Sequence, residues 1–337
     1  ADHIIAMMKQ EPVYRCRDYL SPRHFHRDRA CEKEEKEKRY DMPSPPHMLL
    51  AVEECIRFID SLVVGPKSPI SISSSLSSSA LSSVACDLSS NASSRGKNRC
   101  NSSSTASTSW SVEKTTRRQM RKWRKQMCTW SFMVVNKLNF DREIVSVAFS
   151  FLDRYLAMDT EPETITGGEF QLISMTALYT AIKSMQPNRP LAARSIVNMS
   201  HGYINDKDVL VMEMEMLTAL EWRINPPTAL AFVREFLPFL SVPVKQKHEL
   251  MVKSRLLTEL AVGDLLSIVH PQSSIAVASI LVAVSNHCGV GVSDPLPPLV
   301  VNDFCKNLKR YANIDVKSIE IDDICDRLEN MLLKCVK

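Results

Sequence analysis

From residue 113 to residue 335 the apolar side chains recur at the three- and four-residue spacing of helices, in segments separated by proline or polar breaks. The first segment, 114–138, is rich in Arg, Lys, Gln and Met, all good helix formers. Asp141 stands where an N-cap would, ahead of Glu143 and Ile144, which open a second helix running to about Met158. Thr166, with Glu169 three residues on, is a capping box for a third helix that reaches about Met185, where Pro187 and Pro190 break it. A short fourth helix is predicted over 190–200. Asp206 caps a fifth that ends near Trp222, with Val209, Met212, Met216, Ala219 and Leu220 on one face and Pro226-Pro227 beyond it. A second series follows at about 228–240, 245–263, 271–288, 298–311 and 317–335. In each series one helix is apolar and small on nearly all sides: the third helix of the first, and Ser274 to Ser285 in the second. Such a helix belongs at the centre of a bundle. The pattern predicts an all-α chain with two tandem five-helix bundles, one the structural duplicate of the other.

The stretch before residue 113 reads differently. Residues 1–46 are polar and irregular, with a mixed-charge run from Cys31 to Arg39. Residues 47–64 form an apolar island in which Leu49, Val52, Ile56 and Ile59 fall at helical spacing, so one amphipathic helix is expected there. Residues 65–111 are dominated by serine, which cannot bury enough surface to offset the entropy of ordering, and a disordered linker is expected. Ser21-Pro22, Ser44-Pro45 and Ser68-Pro69 are candidate phosphorylation sites, and Arg17 to Leu20 fits a minimal Arg-x-x-Leu degradation pattern.

Composition removes several classes of function. Hydrophobic residues make up 45% of the chain, enough for real cores, while the net charge of +4 is too mild to imply nucleic-acid binding by itself. The 10 cysteines are scattered without a CxxC pair or zinc-finger spacing, so they read as free thiols of a reducing compartment. No signal peptide and no membrane-length apolar run is evident, so a soluble protein of nucleus or cytoplasm is expected, with no membrane partner. Gly-rich phosphate loops and the GxSxG and HExxH patterns are absent, the HRD at His26-Arg27-Asp28 has Lys33 where a kinase catalytic loop has its Asn, and no two of the 8 histidines stand at i, i+4. No catalytic residue, metal ligand or cofactor is therefore assigned.

Four charges placed inside apolar helices carry the remaining information. Arg121 in the first helix and Asp153 in the second would form an ion pair locking the two, because a buried charge is costly alone. Lys183, ending the third helix, and Glu213, in the fifth, are free to meet a partner. The bland alternative for each is a solvated or snorkelling side chain.

Residues 120–240 resemble a cyclin box. The strings that carry the resemblance are Met120-Arg121, SFLDRYL at 150–156, FQLISMTALYTAIK at 170–183 and VLVMEMEMLTALEWRINPPT at 209–228, in this order and spacing. Residues 228–335 are more loosely similar to the C-terminal cyclin fold. The organisation implied is an N-terminal cyclin box at 113–227 and a C-terminal cyclin-like fold at 228–335. The resemblance implies a regulatory subunit that binds and allosterically activates a cyclin-dependent serine/threonine kinase in cell-cycle control. It assigns Arg121 and Asp153 to a structural ion pair, and Lys183 and Glu213 to hydrogen bonds with the kinase beside its regulatory helix. It places a candidate groove for docking kinase substrates at Met120, Trp123, Arg124, Met127 and Gln171, in which Arg124 replaces an aliphatic residue. Ser184, Met185 and Gln186 depart from the aromatic and acidic residues that often follow the family's lysine. The alternative is a cyclin-fold scaffold in transcription that binds DNA or transcription proteins, prompted by the basic first helix with Lys114, Arg117, Arg118, Arg121, Lys122, Arg124 and Lys125. Nucleic acid is not the expected partner, since phosphate binding needs a broader basic surface.

Overall fold

The computed structural model describes residues 2–20, 105–158, 165–199, 204–286 and 296–336, with the backbone alone for 105–117, 335 and 336. Among these residues there are helices and no strands. The elements are α1 (Asp2–Gln10), a 3-10 turn (Glu11–Tyr14), α2 (Thr105–Lys137), α3 (Glu143–Met158), α4 (Gly167–Met185), α5 (Ala193–Asn198) and α6 (Asp206–Ala219). There follow α7 (Ala229–Phe236), a 3-10 turn (Leu237–Phe239), α8 (Val244–Gly263), α9 (Leu266–Val269), α10 (Gln272–Ser285), α11 (Pro298–Ala312) and α12 (Ile319–Val336).

Helices α2 to α6 form the first bundle around α4, against which α3, α6 and α2 pack. Phe170, Met175, Leu178, Ala181 and Ile182 of α4 are fully buried, which is why its sequence is apolar on nearly every side. In the second bundle α10 takes the same place, packed by α8, α12 and α7, with Ile275 to Ala278 and Ile280 fully buried. The predicted starts have local causes. Thr166 Oγ1 accepts the Glu169 N–H at 3.2 Å while Glu169 Oε2 accepts the Thr166 N–H at 2.8 Å. Asp141 Oδ1 accepts from the Glu143 N–H at 2.9 Å. At α6 the cap is Asn205 rather than Asp206, and the Asp208 carboxylate accepts the Asn205 N–H at 3.3 Å.

The two bundles meet at a seam of paired charges. Glu143, at the start of α3, accepts from the Thr228 hydroxyl and from Arg234 Nη1 at 2.7 Å. Arg142 bonds Glu259 of α8 at 2.7 Å, and Arg255 of α8 bonds Asp141 at 2.9 Å. Thr228, just past Pro226-Pro227, also accepts the Ala231 N–H at 3.0 Å and so caps α7.

Of the stretch 1–46 read as irregular, the structure corrects residues 2–20, and residues 21–46 lie outside the described residues. Helix α1 puts Ile4 and Met7 into the second bundle's core, a burial that contributes up to about 1.5–3 kcal/mol per side chain. Glu11 then caps α10: its carboxylate accepts the Ser273 N–H at 2.8 Å and the Ser273 hydroxyl at 2.7 Å. Tyr19 and Leu20 end the segment inside the first bundle's core. Residues 2–20 are thus a strap across both bundles. Leu20 is buried, so the Arg-x-x-Leu pattern at Arg17 to Leu20 is not displayed for recognition in the folded chain. The expected helix at 47–64 and most of the 65–111 linker lie outside the described residues, while 105–111 are the first turns of α2.

Candidate functional site

The ion pair between the first two helices exists with a different arginine. Arg124, not Arg121, pairs with Asp153: Nη2 donates to Oδ2 at 3.0 Å and Nη1 to Oδ1. Arg124 is 1% exposed, whereas Arg121 is on the solvent face. The correction follows from helical geometry. Met120, Arg124 and Met127 stand at i, i+4 and i+7, a single stripe, and that stripe faces the core. Arg124 Nη2 also donates to the Val262 carbonyl at 3.1 Å and meets Ser267 Oγ at 3.0 Å, so the pair reaches into the second bundle. Tyr19 of the strap donates its hydroxyl to Asp153 Oδ1 at 3.1 Å. Burial opposes the Arg124 charge, but Asp153 and then Tyr19 outweigh it and raise the guanidinium's pKa, keeping it charged.

The same stripe removes three members of the expected substrate groove. Met120, Arg124 and Met127 are 2%, 1% and 1% exposed and cannot line a surface groove. Trp123 and Gln171 remain half-exposed, with the Trp123 ring 5.9 Å from that of Phe170. Arg118, Arg121, Lys122 and Lys125 are exposed along α2, so the basic face predicted for this helix is present without Arg124.

Lys183 and Glu213 lie together. Lys183 Nζ donates to both Glu213 oxygens at 2.9 Å, and the Thr180 hydroxyl reaches Oε1 at 3.4 Å. The carboxylate is almost fully buried between α4 and α6, while the lysine side chain is 46% exposed and its Nζ lies 5.0 Å from the centre of the Tyr179 ring. Burial works against the lysine charge, but the hydrogen bond and charge of Glu213, then Tyr179, prevail and raise its pKa. A fixed carboxylate thus presents an ammonium at the surface, with one N–H donor to spare.

Helix α6 and the turn after it also carry exposed apolar side chains. Leu210, Val211 and Met214 of α6 are 45%, 60% and 54% exposed, and Trp222, just past the helix, is 59% exposed. Glu221 and Trp222 both take left-handed backbone angles, with φ of 52° and 58°. Non-glycine residues visit that region rarely, and such strain gathers at sites of interaction. The sequence reading found the two charges but passed over this patch, because it considered only the buried face of α6. Among the described residues no group of three or more His, Cys, Asp or Glu could hold a metal ion, and no helix is long and apolar enough to cross a membrane.

Comparison with known proteins gives a consistent set of similarities. The family model of the cyclin N-terminal domain matches residues 97–225. The G1/S-specific cyclin-D1 of Danio rerio is 28% identical over 163 residues, 48% of this chain and 54% of that protein. The G1/S-specific cyclin-D1 of Homo sapiens is 24% identical over 192 residues, 57% of this chain and 62% of the relative. The chain therefore spans little more than half the length of the curated relatives it matches. Among solved structures, a viral cyclin from herpesvirus saimiri superposes with a TM-score of 0.51 at 14% identity, covering 64% of this chain and 86% of that one, a similarity of fold.

Proposed function

Because the chain belongs to the cyclin family, we propose that it is a non-catalytic regulatory subunit that binds and activates a cyclin-dependent serine/threonine kinase. The observation that carries this reading is the Lys183–Glu213 pair, which holds an ammonium at the surface, with Leu210 and Met214 exposed on the same helix α6. Exposed apolar side chains gathered in one place mark interaction surfaces, and a solvent-exposed Trp is the residue type that anchors them. The pair supplies directional contacts. Lys183 donates its remaining N–H to a carbonyl oxygen of the partner backbone, and Glu213 accepts an N–H from it. Such contacts make no demand on the partner's side chains, which suits one regulatory subunit serving a conserved kinase element.

Activation then follows from differential binding. Phosphoryl transfer in protein kinases requires the catalytic lysine and the glutamate of the regulatory helix to be paired, and a partner that binds this conformer better raises its population. The substrate is supplied to the kinase, and no residue of this chain takes part in the chemistry. We place the boundary between the cyclin box and the C-terminal fold at Pro226-Pro227 and the setting in cell-cycle control, in nucleus or cytoplasm. The test is affinity capture with the full chain from its native cell, followed by phosphorylation assays on any kinase retained. Recovery of a kinase that is inactive alone and active with this chain supports the reading. Recovery of DNA or transcription proteins without a kinase refutes it.

A further inference from the structure

The conspicuous cation that the kinase-binding reading leaves unused is Arg154, the residue after Asp153 on α3. It is 6% exposed, yet its bonds go to two backbone carbonyls: Nε to Ser150 at 3.3 Å and Nη2 to Arg223 at 2.9 Å. No ion pair joins it to a carboxylate among the described residues, and its neighbour Asp153 is committed to Arg124 and Tyr19. Of the five N–H donors on a guanidinium, three remain without a carbonyl. The group packs near the rings of Tyr14, at 4.9 Å, and Phe151, at 5.6 Å. Burial draws its pKa down to about 10 in spite of nearby Tyr14 and Cys16, the mark of a positive charge short of compensation.

Arg154 lines a cavity of about 40 Å³ at the junction of the strap and the two bundles. Arg15 from the strap, Ser146 and Ser150 from α3 and His270 ahead of α10 line it as well. Arg15 is exposed and spends one N–H on the Val269 carbonyl at 3.3 Å. His270 meets Glu320 through Nδ1 at 3.3 Å, which leaves its other ring nitrogen for the cavity. Two carboxylates also line the space, Glu11 and Asp153, and both already accept bonds, from Ser273 and from Arg124 with Tyr19. A water needs roughly 10–15 Å³ on this measure, so the cavity takes about three waters or one small tetrahedral anion, and nothing as large as a nucleotide.

We propose that this junction is a binding site for a phosphate group, with Arg154 as its central ligand and Arg15, Ser146, Ser150 and His270 completing the shell. The planar fork of a guanidinium matches phosphate oxygens in pairs, and the Arg154 guanidinium has no carboxylate bonded to it that would have to be displaced. Because the ligating residues come from the strap and from both bundles, occupation ties the three together and stabilises the folded chain by mass action. The site is about Arg154 and shares no residue with the Lys183–Glu213 surface, so the two readings stand or fall separately.

The experiment is thermal unfolding of the full chain with increasing inorganic phosphate, against chloride at matched ionic strength, with calorimetry to give affinity. A saturable rise in melting temperature specific to phosphate is expected. Arg154→Gln should weaken phosphate binding at least tenfold. Since that residue also supports the Arg223 carbonyl, the exposed Arg15→Gln is the second variant. It should lower affinity several-fold while changing the phosphate-free melting temperature far less than Arg154→Gln does. A phosphoserine peptide used in place of phosphate distinguishes the source. Tighter binding of the peptide points to a phosphorylated chain entering the cleft, and equal binding to the free anion. A response no larger than that to chloride, or equal phosphate affinity in the wild type and both variants, would overturn the proposal.

Discussion

Replacing Arg124 by methionine tests the reasoning about the buried charge pair. The change removes a two-point contact with Asp153 and the bonds to the Val262 carbonyl and to Ser267. It also removes the packing of the guanidinium 4.8 Å from the centre of the Phe149 ring. Methionine fills much of the volume, so the loss is mainly electrostatic. Asp153, 3% exposed, would keep only the Tyr19 hydroxyl among the partners named here. Leaving one member of a buried pair alone costs about 3–5 kcal/mol. In a folded unit of this size each kcal/mol shifts the melting temperature by about 2–4 °C, so a fall of roughly 6–20 °C is expected. Arg121→Met, on the solvent face three residues earlier, should change stability by no more than about 0.5 kcal/mol. Adding Asp153→Leu to Arg124→Met removes the stranded carboxylate and should recover part of the loss, giving a positive coupling in a double-mutant cycle. Urea or thermal unfolding followed by circular dichroism supplies the stabilities of the wild type, the three single variants and the double variant. Equal stability of the Arg124 and Arg121 variants, or strict additivity with Asp153→Leu, would refute the assignment of the pair.

Three further outcomes follow from the packing. Phe232→Ala, at a fully buried position of α7, should cost about 3–5 kcal/mol in the same unfolding assay. Thr166→Ala removes the cap of α4 and should cost about 1 kcal/mol, with the exposed Lys122→Gln as a neutral control on α2. Glu11 gives a pH dependence: burial raises its pKa above the ordinary 4.5 in spite of the Ser273 bonds. A raised acid binds its proton more tightly in the folded state, so this contribution to stability is complete below pH 4.5 and is lost as pH rises through the folded value. Melting temperatures measured upward from pH 4.5 should show that slope in the wild type and a flatter one in Glu11→Gln.

Much of the bundle architecture was legible because its causes are local. The capping box at Thr166, the prolines after α4 and α6, and the all-round apolar α4 and α10 each act within a few residues. The strap was missed although Ile4, Met7 and Met8 stand at helical spacing, because a nine-residue helix is decided by the surface it docks on. The misplaced arginine has a related cause. Arg121 and Arg124 lie one turn apart on a basic helix, and only the position of the core tells which of them is inside. Glu11 and Arg154 carry no local signal either, since their partners Ser273 and Arg223 are 262 and 69 residues away. Lys183 and Glu213 were recognisable as charges out of place, but their contact and the exposure of Leu210, Val211, Met214 and Trp222 required the fold.

The central claim is that the Lys183–Glu213 surface captures and activates a kinase. Its most direct test is the activity and affinity of the captured kinase with the wild type and with Lys183→Ala/Glu213→Ala, with folding checked by thermal melt. Charge-assisted hydrogen bonds contribute about 1.5–3 kcal/mol each, and about 1.4 kcal/mol is a tenfold change in affinity. A well-folded double variant should therefore bind the kinase roughly a hundredfold more weakly and fail to activate it at concentrations where the wild type saturates. Full activation by the folded double variant would contradict the account.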